Sequence, residues 1–516
     1  MPRGRLEANV NGRLDAVNLE LVPSSRVRGS GAEWALARGG NSRSEGQDRL
    51  SGDRLVVSLP DGASGMRDDL EAETASAGVL VGPRSSKNAA ALRKHLPWLR
   101  PRPLGLATSA GLGDRLGLAT PGHVRALRAV GGVIAPVFPQ QSIREMTRTG
   151  RTPIEVIDDA TWGMFAEGWR CGTGADADHL KTTADVDACL AVGFSMFTID
   201  PGEHVDSAAD SAAVAALRAK MPGLPWSELE DTEAALRSRY LGQTFAVEHL
   251  SIQFDETTLL RAAVKYGRAV AHVARTWRHL AKAAGSRLFE LEISVDETET
   301  PTSPAEHYWV ASELRRLGVV WVSLAPRFVG RFEKGVDYIG DLAGLETDIA
   351  AHAAIARQLG PYKLSLHSGS DKFSVYPIIA RLTKGLVHLK TAGTSYLEAL
   401  RTVAALDPAL FREIYAFARE RYETDKVSYH VSAELGRAPE AKDVKEAALP
   451  ALLEPLDSRE ILHVTFGSVL KETDRTGKPR FQDRLMALLR EHPDAYAKNL
   501  ETHFVRHLRP FASVRQ

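Results

Sequence analysis

The chain has 516 residues, 44% of them apolar, and its 65 Lys and Arg equal its 65 Asp and Glu. This is a globular composition long enough for one large core or two ordinary ones, and with no overall basic field it excludes broad nucleic-acid or anionic-membrane binding. Only Cys171 and Cys189 are present, no apolar run has the length of a membrane span and the N-terminus lacks a signal peptide's apolar core, so the expectation is a cytoplasmic protein without a disulfide framework.

Residues 1–53 are rich in Arg, Gly, Ser and Asn, and their apolar residues are too scattered to build a core. Disorder is expected there. A lead-in over 54–103 carries short strands near 56–59 and 77–81 and a helix over 85–96. From 104 the pattern becomes regular, with apolar or alternating segments at 104–109, 132–138, 175–178, 194–200, 287–294, 319–325, 363–367 and 385–390. Each is trailed by helix-forming sequence, at 121–130, 153–171, 185–192, 257–284, 304–317, 345–359, 378–383 and 396–403. Alternating strand and helix eight times implies parallel strands joined by crossover helices. We expect an α/β fold, a (β/α)8 TIM-type barrel over 104–405, rather than an open doubly wound sheet. Residues 204–247 read as an insertion after the fourth strand. Residues 406–516 read as a mainly helical extension, with helices at 408–424 and 482–489 that cover the barrel or form a subunit contact in a homo-oligomer.

The densest chemistry lies at 173–181, Thr-Gly-Ala-Asp-Ala-Asp-His-Leu-Lys, where Asp178 and His179 reach a strand end. Strand ends feeding helices are where barrels keep their active sites. Three later strands put polar residues on one face: Glu290, Glu292 and Ser294; Lys363, Ser365 and His367; His388 and Lys390. The apolar face must meet the outer helices, so these groups point into the lumen. Glu290 and Lys363, low in the barrel, are expected to pair as a structural network. Nearer the mouth, His179, Glu292 and His367, with Asp178 beside them, could hold a divalent ion, or paired carboxylates could act as acid and base; both roles can coexist.

The loops add polar groups suited to a sugar acid. Asp114 offers hydrogen bonds to hydroxyls, Arg115 a cation for a carboxylate, and Gln140, Gln141 and Ser142 neutral donors and acceptors. Arg327, Arg331, Glu333 and Lys334 follow the sixth strand. Arg327 and Lys372, with Arg115, are candidate partners for a substrate carboxylate at the mouth.

Several long motifs then carry a family resemblance. Gly113-Asp-Arg-Leu-Gly-Leu-Ala-Thr-Pro-Gly-His123, Ser142-Ile-Arg-Glu, Arg148-Thr-Gly-Arg-Thr-Pro153, Gly174-Ala-Asp-Ala-Asp-His-Leu-Lys181, Phe197-Thr-Ile-Asp-Pro201, Ala325-Pro-Arg-Phe-Val-Gly-Arg-Phe-Glu-Lys334 and Leu366-His-Ser-Gly-Ser-Asp-Lys-Phe373 together resemble the tagaturonate epimerases, or hexuronate C4-epimerases, from about residue 100 almost to the C-terminus. The resemblance implies an isomerase that interconverts D-tagaturonate and D-fructuronate in hexuronate catabolism with a divalent metal, for which Zn, Mn, Ni and Co all suit the residues. It further implies Asp178 and Glu292 as the acid/base pair and His179 and His367 as metal ligands. Glu333, whose loop lies between the strands bearing Glu292 and His367, is the first choice for a third ligand and His388 the second. C4 lies β to the ketone and its hydrogen is not acidic, so a retro-aldol and aldol sequence is the expected route, with keto migration the alternative. A metal-dependent sugar aldolase or a ketohexose 4-epimerase would use the same barrel, and a non-catalytic sugar-acid-binding protein would need the pocket but not the paired carboxylates.

Overall fold

The computed structural model describes residues 19–39, 52–60, 64–76, 78–391 and 393–513. Eight parallel strands close into a barrel: β1 (Ser109–Gly111), β2 (Ala135–Ser142), β3 (Gly174–Leu180), β4 (Met196–Ile199), β5 (Glu290–Ser294), β6 (Ser323–Ala325), β7 (Lys363–Leu366) and β8 (Val387–Lys390). β8 pairs back onto β1, so the sheet has no edge. The expected TIM-type barrel is therefore present. Its crossover helices follow the apolar periodicity of the sequence and include Thr120–Ala129, Pro153–Ala166, Thr183–Val192, Glu256–Ala284, Pro304–Arg316, Leu342–Leu359, Tyr376–Thr383 and Thr394–Leu406. Boxes of reciprocal side-chain and backbone hydrogen bonds, Thr152 with Glu155, Thr182 with Asp185 and Ser303 with Glu306, start three of them, each contributing about 1 kcal/mol.

The alternation seen in β5, β7 and β8 is realised as expected. Leu291, Ile293, Leu364, Leu366, Val387 and Leu389 join the apolar core under the helices, while Glu292, Lys363, His388 and Lys390 meet partners from other strands across the lumen. The first strand differs, because regular pairing begins only at Ser109 and Gly105 turns with a φ of 62°. Its N–H donates to the Glu290 carboxylate, which plugs the floor of the barrel. Glu290 and Lys363 consequently form no ion pair within 4.0 Å among the described residues; Lys363 donates to Ser109 Oγ at 3.0 Å instead.

Residues 19–39, expected to be disordered, form an antiparallel hairpin of Leu19–Gly29 and Ala32–Gly39 in a five-stranded sheet with Arg54–Ser58, Val79–Pro83 and Thr74–Ser76. The apolar residues are few but alternate, so Val22, Trp34 and Leu36 reach one face and join the main core; composition alone missed that periodicity. The rest of the expected disorder lies outside the described residues. The segment 204–247 contains the helix Val214–Lys220 against the flank of Glu256–Ala284 and the helix Glu233–Tyr240, whose Arg237 reaches Glu256 at 3.4 Å, and leads into a hairpin of Thr244–Val247 with Leu250–Gln253. Beyond 406 the chain is helical, and its last helix, Pro493–Ala512, packs on Thr120–Ala129 and Thr394–Leu406. No helix among the described residues is long and apolar enough to cross a membrane.

Candidate active site

β3 sends Asp176 into the lumen while Ala175 and Ala177 pack in the core. Its register with β4 slips between Ala177 and Leu180, and His179 adopts a left-handed φ of 50°. An unbroken strand would send Asp178 and His179 to opposite faces; the slip re-aims them to the same mouth. Asp178 Oδ1 accepts from His179 Nδ1 at 2.8 Å. A left-handed non-glycine residue costs about 1–3 kcal/mol and persists only where its surroundings hold it, as they do at functional sites. Behind this pair, Gln140 donates to Asp178 Oδ2 at 2.9 Å. Gly111 makes room for it, since a Cβ there would meet Gln140 Cγ at 2.8 Å.

From β8, the Lys390 ammonium lies 2.8 Å from Asp176 Oδ2, 2.7 Å from Asp178 Oδ1 and 2.7 Å from Glu292 Oε1, and donates to Thr198 Oγ1 at 2.8 Å. Burial works to strip the proton from Lys390, but the three carboxylates outweigh it and hold the ammonium well above its usual pKa. Burial likewise opposes ionisation of Asp178 and Glu292, yet His179 and Lys390 at the first, and Lys390 and His367 at the second, keep both well below the usual carboxylate range. Asp176 is the exception: burial, against the pull of Lys390, pushes it up to about 6.

His367, just past β7, spans two carboxylates. Its Nε2 is 2.6 Å from Glu292 Oε1 and its Nδ1 is 3.0 Å from Asp296 Oδ1. The same Asp296 oxygen is 3.6 Å from His179 Nε2, and Glu297 Oε1 is 3.7 Å from that nitrogen. His179 Nε2 is buried without a hydrogen-bond partner. Two imidazoles thus face Asp296, each backed by a second carboxylate, Asp178 behind His179 and Glu292 behind His367. Proteins orient metal-binding histidines in this way. Asp178, His179 and His367 offer ligand atoms within 4.8 Å of one another, as do His179, Asp200 and Glu297. The orphaned nitrogen and the mixed nitrogen and oxygen donors fit a divalent cation.

Two adjoining recesses open here. One, of about 260 Å³, is lined by Asp296, Glu297, Arg327, Arg331, Lys334 and His367, with Tyr429 and His430 of the C-terminal extension closing a side. The other holds Asp178, His179 and Lys390 and shares Lys334 and His367 with the first. Lys334 lies 3.8 Å from Glu297.

Several expected contacts are occupied elsewhere. Asp114 accepts backbone N–H groups of Leu116, Gly117 and Ala119 at 3.0, 2.8 and 2.6 Å, so it shapes its own loop. Arg115 is bound by Glu145 at 2.8 Å and covered by the Phe466 ring. Lys372 is fully buried and donates to the carbonyls of Glu333, Val336 and Ser370. It ties two loops together. Glu333 lines the larger recess, but its carboxylate is held by the N–H and hydroxyl of Ser432 at 2.9 and 2.7 Å, and it joins neither ligand cluster. His388 is bound to Ser109 at 2.9 Å, and burial pushes it down to about 3. Gln141 accepts from Arg151 at 3.4 Å, leaving its buried Nε2 without a partner. Arg327 remains at the recess, donating to the Asp296 carbonyl at 3.3 Å. The residues missed were Asp296 and Glu297, although the inward alternation Glu290, Glu292, Ser294 continues to Asp296. Alternation points Lys390 inward, and its role follows only from the three carboxylates it meets there.

Comparison with known proteins identifies the family. Residues 55–511 match the family model of tagaturonate epimerase. A tagaturonate/fructuronate epimerase of Thermotoga maritima is 47% identical over 425 residues, covering 82% of this chain and 85% of its own. The native crystal structure of a fructuronate-tagaturonate epimerase from Cohnella laeviribosi superposes with a TM-score of 0.89 at 38% identity, over 98% of this chain and 99% of that one; a glycerol complex of the same epimerase gives the same score over 98% of both. The motifs from residue 113 onward, the closed barrel and the match over nearly the whole length converge, and the chain belongs to the tagaturonate epimerase family of isomerases.

Proposed function

We propose that this protein interconverts D-tagaturonate and D-fructuronate by inverting C4, as a cytoplasmic enzyme of hexuronate catabolism, and that it does so by retro-aldol cleavage and re-addition. The observation that carries the chemistry is the pairing of Asp178 and Glu292 on one ammonium, Lys390, beside two carboxylate-backed imidazoles. His179 and His367 would hold a divalent cation, with Asp296 in place of Glu333 as the third ligand. When bound, such a cation acts as a Lewis acid for the oxygens that gain negative charge.

The chain's own residues supply the proton handling. The hydrogen on C4 is not acidic, so inversion starts with removal of the C4 hydroxyl proton. One carboxylate takes it as the C3–C4 bond breaks. After the aldehyde turns, the bond re-forms on its other face; the proton passes from the first carboxylate by way of Lys390, which gives up one N–H proton to the second as it takes that one, and the second returns it to the new C4 oxygen. Lys390 touches both carboxylates and keeps each ionised and ready to accept. Fixed donors aimed at the developing charge need no reorganisation during the reaction. Lys334 and Arg327 at the shared recess receive the substrate's carboxylate, a role for which Arg115 and Lys372 are no longer available.

The test is conversion of tagaturonate by the full-length protein, before and after chelation. Appearance of fructuronate that stops with chelator and returns with added divalent cation is the expected result. Release of a free aldehyde fragment would convert the reading to an aldolase, and conversion untouched by chelation would remove the cation from it.

A further inference from the structure

A second cluster of ligand-type groups lies outside the cleft, where the C-terminal helix Pro493–Ala512 meets the loop after β7. His503 and His507 are one turn apart on that helix, and Asp371 faces them from the loop. Asp371 Oδ1 is 3.5 Å from His503 Nε2 and 3.6 Å from His507 Nε2. In a tetrahedral site with bonds of about 2.0–2.1 Å, ligand atoms sit roughly 3.3–3.4 Å apart, so these separations need little adjustment.

The outer contacts set the imidazoles correctly. His507 Nδ1 donates to the His503 carbonyl at 2.9 Å, which leaves the lone pair on Nε2. His503 Nδ1 is 3.4 Å from Glu398 Oε1, and its Nε2 is buried without a hydrogen-bond partner. The other Asp371 oxygen, Oδ2, accepts from Arg459 at 2.8 Å, so Oδ1 is the one turned to the histidines. Metal-binding histidines are held by such carbonyl and carboxylate partners, and ligating carboxylates by further hydrogen bonds. A cavity of about 360 Å³, lined by Asp371, His503 and Arg459 among others, adjoins the cluster and gives access and room for a water as fourth ligand. The Asp371 N–H, which now donates to His507 Nε2 at 2.9 Å, would yield that lone pair to the cation.

We propose that Asp371, His503 and His507 form a second divalent-cation site, of zinc type, separate from the catalytic cleft. It fastens the C-terminal helix to the loop that begins at His367, so a cation there steadies the loop bearing a residue of the cleft without touching the substrate.

The test uses the full-length chain with both cleft imidazoles removed, His179→Ala and His367→Ala, stripped of metal and titrated with Co2+. One Co2+ per chain, with the intense visible bands of four-coordinate cobalt and X-ray absorption showing two imidazole ligands, is the expected result, and His507→Gln in the same background should weaken binding by about a hundredfold or more. This measurement leaves the cluster itself unaltered in the first protein, so folding of a cluster variant does not decide it. A chain without cleft imidazoles that binds no Co2+, or binds it only in six-coordinate form, overturns the proposal.

Discussion

Lys390 and Lys363 enter the same lumen from adjacent strands, β8 and β7, and both are buried. Their surroundings make them different chemical species. Lys390 meets three carboxylates within 2.8 Å and keeps its proton well above the usual range. Lys363 sits one layer down, where Ser109 Oγ is its hydrogen-bond partner. There burial dominates over the more distant Glu290, Glu292 and Asp176, and its pKa falls. Both are buried; what differs is the layer and the number of anions within contact. Burial by itself does not set charge, and the layer that gathers anions is the layer that can do chemistry.

The largest effect expected follows from removing the cation of the upper layer. Lys390→Met leaves Asp176, Asp178 and Glu292 buried with no shared counter-charge, which should cost about 3–5 kcal/mol of unfolding free energy and abolish turnover. Lys363→Met removes a buried ammonium that has no ion-pair partner within 4.0 Å among the described residues and should change stability by no more than about 1.5 kcal/mol. Urea denaturation of the two variants side by side measures this, and equal losses would erase the distinction between the layers.

Within the upper layer, Asp178→Asn and Glu292→Gln keep shape but remove a base, and each should lower turnover by about a hundredfold or more. Cation content, determined by elemental analysis, separates their two roles. Each carboxylate also backs an imidazole, so a variant that loses both turnover and the cation acts by orienting His179 or His367, whereas one that loses turnover alone handles the proton.

At the rim, Lys334→Met should raise KM for tagaturonate about tenfold, roughly 1.4 kcal/mol. The uncharged ketohexose with the same C4 stereochemistry should be unaffected. Equal changes for both sugars would move the carboxylate site away from Lys334.

The last effect concerns two carboxylates that crowd one N–H group. Glu460 lies beside Glu333 over the N–H of Ser432, and burial together with the Glu333 carboxylate pushes it up to about 8. Its unfolded value is near 4.5, so between about pH 4.5 and 8 the folded chain binds the extra proton. Its stabilising share is complete below that window and is lost as pH rises through it. Thermal melts of the unaltered chain should decline over this range more steeply than those of Glu460→Gln, and parallel profiles would remove the effect.

How far the site could be read from residues depended on what each residue answers to. Inward alternation in β5, β7 and β8 identified Glu292, His388 and Lys390 as lumen groups, because a strand closed between helices and lumen leaves its polar face one direction. The same rule extended by two residues reaches Asp296 and holds from Asp176 to Asp178, and it fails for His179 because the slip in β3 breaks the alternation. Loop cations were less legible. Arg115, Lys372 and Lys334 are alike in sequence, and nothing local distinguishes a guanidinium bound to Glu145 and covered by Phe466, or an ammonium capping three carbonyls, from one at an open recess.

The sequence by itself determined the barrel, its eight crossover units and the family, since periodicity and long ordered motifs are carried by near neighbours along the chain. Only the tertiary structure decided which charges meet. Lys390 finds Asp176, Asp178 and Glu292 from 98 to 214 residues away, and His179 finds Asp296 across the mouth. Those pairings set the pKa values and the ligand geometry through distances of a few ångströms, and distance between remote strands is a property that no local pattern encodes.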